Sequence, residues 1–152
     1  PGMRTGRHYF ELWAEKISRY VEFGLADATS RGQSCLYISG WCVFGYFAPD
    51  QHDAYDKRQS LQALRCVLPN ERVGFLVDMD KRTCEVFINK RSQVRLGPLR
   101  TFGGVIWPSC HQGVIFTDLP AEGVFPACGS FYSPDLEVHA AFGLPLPSTA
   151  AQ

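Results

Sequence analysis

Apolar and polar residues alternate with a period of two along much of the chain, and this pattern predicts β-strands. In residues 7–15 the apolar Phe10 and Leu12 share one face, and Glu11 and Glu15 share the other. A strand with one apolar and one charged face is typical of a sheet that covers a core on one side only. The first segment is therefore interpreted as a half-buried strand.

The same alternation returns a few residues later. Residues 20–25 place Val21 and Phe23 on one face, and a polar stretch over residues 16–19 separates this segment from the first. Two alternating runs joined by a short polar stretch are typical of a hairpin. The pattern predicts that these two strands are neighbours in one sheet.

The clearest unit lies in the middle of the chain. Residues 72–77 are an apolar run, residues 78–83 are polar, and residues 84–89 are apolar again. This order predicts an antiparallel hairpin. Residues 136–142 alternate once more and predict a last strand that ends at Gly143.

Two stretches are less regular. Residues 36–47 are aromatic and β-branched, which predicts one or two strands, and residues 60–64 are the single helical candidate. Many short strands with almost no helix predict an all-β fold, a sandwich of two antiparallel sheets. The residues expected in its core are Phe10, Leu12, Val21, Phe23, Phe75, Val77, Val86 and Ile88.

Composition narrows the function classes. The 152 residues fit one domain, and 45% hydrophobic against 20% charged residues indicates a chain that folds.

Fifteen Lys and Arg balance fifteen Asp and Glu, so no global field attracts nucleic acid or an anionic membrane. Residues 81–100 are locally basic, but solvated hairpin charges explain them better than phosphate contacts. No apolar run is long enough to span a membrane. We expect neither nucleic acid nor membrane as a partner.

The six cysteines are spread along the chain without any CxxC pair. Cys42 and Cys66 stand within apolar runs, where a free thiol behaves as a small buried hydrophobe. Reduced thiols are typical of the cytoplasm, which is the predicted location.

Signatures of catalysis or metal binding are incomplete. The chain contains no GxSxG, HExxH, P-loop or GxGxxG motif. Cys110 and His111 lack the further ligands of a zinc site, and the three aspartates in residues 50–56 lack the glycine and terminal glutamate of an EF-hand. We predict no enzyme activity, no metal and no cofactor.

Five short motifs follow one another along the chain. They are GRHYFEL at residues 6–12, EFGLA at 22–26, RVGFLVDMD at 72–80, CEVFINK at 84–90, and VFPA at 124–127 followed by AFG at 141–143. In order, they resemble the G-x-H-Y-W-E-V, V-G-V-A, V-G-V-x-L-D-x-D, L-S-F-x-x-N-G and L-Y-P-A…N-F-G motifs of the SPRY domain family. Phe10 stands where the family has tryptophan, Lys90 stands for a turn glycine, and residues 96–117 have no counterpart.

The resemblance implies a bent β-sandwich over residues 1–143, followed by a Pro-containing tail or linker at residues 144–152. It also implies a stand-alone SPRY domain that binds a peptide or partner surface through its loops. Such a module is expected beside other domains of a larger chain, including as the substrate-recognition part of a ubiquitin ligase. A sugar-binding lectin is the alternative, because related sandwiches host lectins and a fold alone does not decide function.

Loop aromatics are the candidate anchors for such a partner. In the family, the loops corresponding to residues 27–37 and 128–134 border the binding surface, and Tyr and Trp dominate interface hot spots. An aromatic ring in a loop is harder to bury than one in a strand, although each ring has the alternative of packing on its own loop. The candidate partner-binding residues are Tyr37, Tyr55, Trp107, Phe131 and Tyr132.

Overall fold

A computed structural model describes most of the chain. The described residues are 2–17, 21–30, 36–45, 53–63, 67–89, 91–92, 113–130 and 136–147; for Tyr37, Ile38, Asp53, Gln62, Ala63, Arg91 and Ser92 only the backbone is described. The elements, in chain order, are β1 (Arg7–Trp13), β2 (Val21–Ala26), a 3₁₀ turn (Ala28–Ser30), α1 (Leu36–Ser39), β3 (Trp41–Phe44), β4 (Asp53–Asp56), β5 (Gln59–Ala63), β6 (Val73–Asp78), β7 (Thr83–Ile88), β8 (Arg91–Ser92), β9 (Val114–Phe116), β10 (Phe125–Ser130) and β11 (His139–Ala141).

The strands form two antiparallel sheets. The first sheet has the order β11-β1-β6-β7-β8, with β9 also paired to β7. The second sheet has the order β10-β2-β3-β4-β5. Side chains from both sheets meet in one apolar cluster, so the two sheets pack face to face. The predicted all-β sandwich is confirmed.

The core lies between the two sheets. All eight residues predicted for it are buried there. Phe10 of β1 and Phe75 of β6 stack with ring centroids 5.2 Å apart and planes 20° apart, and Phe23 of β2 joins the cluster from the other sheet. The period-two pattern therefore identified correctly which face of each strand points inward.

The predicted hairpin of the first two strands is wrong. β1 pairs with β6 and β11, whereas β2 pairs with β3 and β10. The two strands lie in opposite sheets, because alternation specifies the face of a strand and carries no information about its partner. The second predicted hairpin is confirmed, since β6 and β7 pair from Val73 opposite Ile88 to Asp78 opposite Thr83.

The predicted helix at residues 60–64 is also wrong. Residues 60–63 lie in β5, which pairs with β4, and residue 64 lies outside the described residues. Lys57 and Arg58 join the two strands and both have positive φ, 44° and 76°. Two such residues between paired strands form the tight turn that a hairpin favours. Because this turn joins β4 to β5, the residues after it are extended and not helical.

The run at residues 36–47 is only partly extended. Residues 36–39 form α1, and β3 begins at Trp41; residues 46 and 47 lie outside the described residues. Gly40 joins the helix to the strand, and a Cβ at this position would collide with the carbonyl oxygen of Leu25. The close approach at Gly40 lets the chain turn from the helix directly into the sheet.

The last strand is shorter than predicted. β11 covers residues 139–141, while Leu136 and Val138 pack against the core before it. After the strand, Phe142 is 61% exposed, and Leu144 packs against Tyr9 and its neighbours on the outer face of the first sheet. The segment after β11 thus stays against the domain as far as Leu144.

Removing the Phe75 ring tests the core. Phe75→Ala should lower the free energy of unfolding by about 3–5 kcal/mol, because the buried ring leaves a cavity between the sheets. Urea denaturation measures the change. Phe142→Ala is the matched control, since most of that ring is already exposed. Similar losses for the two variants would contradict this placement of the core.

Candidate functional site

A four-residue helix covers part of the outer face of the second sheet. α1 packs against β2, β3, β4 and β10. We call the surface around it the α1 face; it consists of Leu36, Cys42 and Phe44, which are buried, and of Ala26, Tyr55 and Ala127, which pack against them. The helix gives this sheet a second apolar layer on the side away from the core.

A buried glutamate fixes the start of the helix. Glu22 lies on the face of β2 that points away from the core, yet it is fully buried. Its Oε1 accepts a hydrogen bond of 3.0 Å from the Leu36 N–H, and its Oε2 accepts one of 3.6 Å from the Cys42 thiol. A Cβ at Gly129 would lie 2.7 Å from the same Oε1. Gly129 therefore leaves the space that the carboxylate fills between β10 and α1.

A second carboxylate organises the turn after β2. Asp27 Oδ1 accepts hydrogen bonds from the N–H groups of Thr29 and Ser30, at 2.9 and 3.0 Å. Its Oδ2 lies 2.8 Å from Nζ of Lys57, and this ammonium lies 5.0 Å from the centre of the Trp41 ring. The Asp27 side chain thereby links the loop after β2 to the turn between β4 and β5.

The hydrogen bonds change the acidity of Asp27. Burial by itself would raise the pKa of this carboxyl, but hydrogen bonds from Lys57, Thr29 and Ser30 outweigh it and lower the pKa from 3.8 to about 2. The charged form of Asp27 is the one that holds the loop.

Comparison with known proteins tests the fold. No protein-family model matches the chain, and no curated protein matches it. Among solved structures, the SPRY domain of human HERC1 is similar with a TM-score of 0.63 and 15% sequence identity, over 96% of this chain and 80% of that chain. This chain has a SPRY-like fold. The fold that the sequence motifs implied is thus confirmed.

The predicted anchors are only partly described in this SPRY-like domain. Tyr37 and Tyr55 were expected in loops, but Tyr37 lies in α1, where only its backbone is described, and Tyr55 lies on strand β4, which pairs with β3 and β5. The Tyr55 side chain is half-buried on the α1 face, with its ring edge against Phe44 at 5.5 Å and 84°. Trp107, Phe131 and Tyr132 lie outside the described residues.

The two predicted binding loops leave the sheet at opposite ends. Ala26 at the end of β2 pairs with Phe125, whereas Val21 at its start pairs with Ser130 at the end of β10. The first loop therefore begins far from the second. The end of the first loop lies near β10 again at the start of α1, because the Leu36 N–H is hydrogen-bonded to Glu22 and the Glu22 carboxylate lies beside Gly129. The backbone next to Tyr37 is thus close to the strand that leads into residues 131–132.

Glu22 and the ion pair of Asp27 with Lys57 were not predicted as functional residues. Alternation places Glu22 on the polar face, so no local signal marks it as buried. Lys57 is thirty residues from Asp27, and only the pairing of the strands brings the two charges together.

Some classes of site are not found in the part of the chain that the structure describes. Within it, no three His, Cys, Asp or Glu side chains form a group that could hold a metal ion. Among the same residues, no helix is long and apolar enough to cross a membrane. Cys42, Cys84 and Cys128, the cysteines whose side chains are described, form no disulfide.

Asp27→Asn tests the loop network through its pH dependence. The pKa of Asp27 is lower in the fold than its ordinary 3.8, so its charge stabilises the fold above that pH, and the contribution is lost as the pH falls towards 2. The variant should be less stable than the wild type at pH 7, and the difference should narrow below pH 4. Urea denaturation over a pH series measures it. Glu122→Gln, at an exposed carboxylate, is the control; a difference that stays constant with pH would contradict the role of the charge.

Two substitutions at Glu22 test the anchor of α1. Glu22→Ala removes the acceptor of the Leu36 N–H, so it should lower the free energy of unfolding by about 1–3 kcal/mol and speed hydrogen exchange at the Leu36 amide. Glu22→Gln keeps a carbonyl oxygen at this position and should lose less in both measurements. Equal effects of the two variants on Leu36 exchange would contradict the anchoring hydrogen bond.

Proposed function

We propose that this SPRY-like domain is a protein-interaction module that binds a short peptide or partner surface beside the α1 face. The observation that carries the proposal is the hydrogen bond from Leu36 to the buried Glu22, which fixes the start of α1 next to Gly129. A loop whose backbone is already ordered loses less conformational entropy on binding. The domain thus holds an ordered backbone beside the end of β10, the strand that precedes two of the candidate anchors in the sequence.

Aromatic side chains are the proposed anchors of the partner. Tyr37, Phe131 and Tyr132 are the central ones, because the backbone beside Tyr37 lies near the end of β10 and residues 131–132 directly follow that strand in the sequence. Tyr55 flanks them on the α1 face, where it is half-buried. Trp107 is the fifth anchor, contributed by the segment that has no counterpart in the family motifs. Rings of this kind give a large rigid contact area with few rotatable bonds.

We further propose that binding, and not catalysis, is the role of this domain. More specifically, we propose that the domain recognises substrates within a ubiquitin ligase, beside other domains of a larger chain. The motif resemblance supports this more specific proposal. We place this function in the cytoplasm, where Cys42, Cys84 and Cys128 would stay reduced.

A peptide library and a glycan array, tested side by side, separate the two candidate ligand classes. We expect saturable binding of a subset of peptides and no saturable binding of glycans. Saturable glycan binding without any peptide ligand would replace the proposal with the lectin alternative.

Removal of single aromatic rings tests the location of the site. Phe131→Ala or Tyr132→Ala should weaken binding of a selected peptide by about 2 kcal/mol or more, because hot-spot rings carry most of an interface's affinity. The Tm should change little. Leu68→Ala, at an exposed apolar side chain elsewhere, is the control. If binding and stability fall together, these rings belong to the core and the site lies on another face.

A further inference from the structure

Part of strand β1 has a neighbour on one side only. β1 pairs with β6 from Arg7 to Leu12, but with β11 only from Glu11 to Trp13. The first four residues of β1, residues 7–10, therefore form a free edge of the first sheet within the described part of the chain. At about 3.3 Å per residue this edge is roughly 13 Å long.

The backbone along this edge has free hydrogen-bonding groups. The Met79 N–H donates to the Gly6 carbonyl, and hydrogen-bonded positions alternate along an antiparallel pair. His8 and Phe10 therefore bond to β6, whereas the N–H and C=O groups of Arg7 and Tyr9 point to the other side. Among the described residues, neither Arg7 nor Tyr9 has a backbone partner there.

A groove with apolar walls runs beside the same edge. Its volume is about 480 Å³, and it lies between the start of β1 and residues 142–146. Phe142 is 61% exposed and Leu146 is 44% exposed, and both line the groove. Of the large hydrophobic side chains that the structure describes as exposed, only Leu68 lies elsewhere. The exposed apolar surface is thus concentrated where the backbone is unpaired.

Arg7 is the charged residue among the described residues that line the groove, and no Asp or Glu is among them. The Arg7 side chain is 48% exposed, and its distance to the Asp78 carboxylate is 3.9 Å, too long for a strong hydrogen bond. Arg7 is therefore available to a negatively charged group that enters the groove.

We propose that this edge binds an extended segment of a partner protein, in which apolar and acidic residues alternate, by addition of a strand to β1. The Arg7 and Tyr9 backbone groups would pair with the segment, its apolar side chains would contact Phe142 and Leu146, and its acidic side chains would contact Arg7. Strand addition of this kind takes affinity from main-chain hydrogen bonds and specificity from side-chain pockets. The site lies on the first sheet and is independent of the proposed site at the α1 face.

A second copy of this chain fits the edge less well. Two β1 edges that pair antiparallel about a two-fold axis would bring the Arg7 side chain of each copy close to the Arg7 side chain of the other. Like charges on neighbouring strands destabilise the pairing. An acidic partner segment has the opposite effect, so the charges favour a different protein.

Hydrogen exchange of two amides tests the pairing directly. The probe is an array of end-blocked peptides of about six residues that alternate Val, Ile, Leu or Phe with Asp or Glu. The tightest peptide should slow exchange of the Arg7 and Tyr9 amides at least about tenfold, and the same peptide with Lys in place of its acidic residues should bind at least about tenfold more weakly. N-methylation of the peptide at the backbone positions that face β1 should abolish binding.

Matched variants locate the site. The double variant of Phe142→Ser and Leu146→Ser, and separately Arg7→Glu, should each weaken the acidic peptide at least about tenfold. Leu68→Ser and Lys81→Glu, which change an exposed apolar and an exposed basic side chain elsewhere, should leave the affinity unchanged. Phe131→Ala should also leave it unchanged, which separates this site from the one at the α1 face. The Tm of each variant shows whether the fold is intact.

Three results would overturn the proposal. The first is no binding of any peptide of the array at about 1 mM. The second is binding that leaves exchange of the Arg7 and Tyr9 amides unchanged. The third is a concentration-dependent dimer in sedimentation that Arg7→Glu or the double serine variant disrupts, because the edge then belongs to a second copy of this chain.

Discussion

The aromatic layer between the two sheets determines which side chains lie on the outer face of each sheet. Phe10 and Phe75 stack within the first sheet, and Phe23 meets them from the second. Because successive side chains of a strand point to opposite faces, a ring that is held inward forces its neighbours outward. Phe23 thus places Glu22 on the outer face of the second sheet, and Phe10 places Glu11 on the outer face of the first. The core thereby positions two carboxylates that both end up buried.

The two sheets satisfy these buried carboxylates in different ways. Glu11 accepts a hydrogen bond of 2.8 Å from the Tyr9 hydroxyl and lies 3.0 Å from the Arg72 guanidinium, whose carbon lies 3.9 Å from the centre of the Trp13 ring. Burial, together with the hydrogen bond and the charge of Glu11, raises the pKa of Tyr9, so its hydroxyl remains a donor. The first sheet therefore covers its carboxylate with side chains of its own strands and of the residue just before β6.

The second sheet covers its carboxylate with a piece of loop. Glu22 is enclosed by the start of α1, so the loop after β2 must return across the sheet to satisfy it. A buried carboxylate without a donor would carry a large desolvation penalty, which makes the return of the loop part of the stability of the fold. The outer face of the second sheet consequently carries part of the segment that connects β2 to β3, and connecting segments tolerate sequence change better than strands do. This physical difference makes the α1 face better suited to a variable binding surface than the outer face of the first sheet.

The sequence predicted the faces of the strands more reliably than their partners or their ends. The apolar runs at residues 72–77 and 84–89 were sufficient to predict that β6 pairs with β7, because a short turn joins the two strands. Alternation was not sufficient to predict the partners of β1 and β2, since those partners are distant in the chain. The helix α1 occurs in a run with strand composition, because its geometry depends on the distant Glu22. Of the candidate site, Tyr55 was expected in a loop but lies on β4, and the anchoring by Glu22 and by Asp27 with Lys57 depends on strand order and had no local signal.

The free edge of β1 illustrates how a sheet keeps a binding edge without becoming prone to aggregation. A long, flat, apolar edge is a template for association with other chains, and native proteins shorten, charge or cover such edges. Among the described residues the unpaired stretch is only four residues long, Arg7 stands on it, and residues 142–146 with Pro145 pass alongside. Tyr9 packs its ring edge against Phe87 at 5.9 Å and contacts Leu144, so the backbone of the edge is held from the outer face. A rigid and short edge loses little conformational entropy when a strand pairs with it. The edge offers few backbone hydrogen bonds, however, so backbone pairing alone is not enough to bind a strand of arbitrary sequence. Recognition at this edge must therefore depend on the neighbouring groove, and that dependence is the physical source of its selectivity.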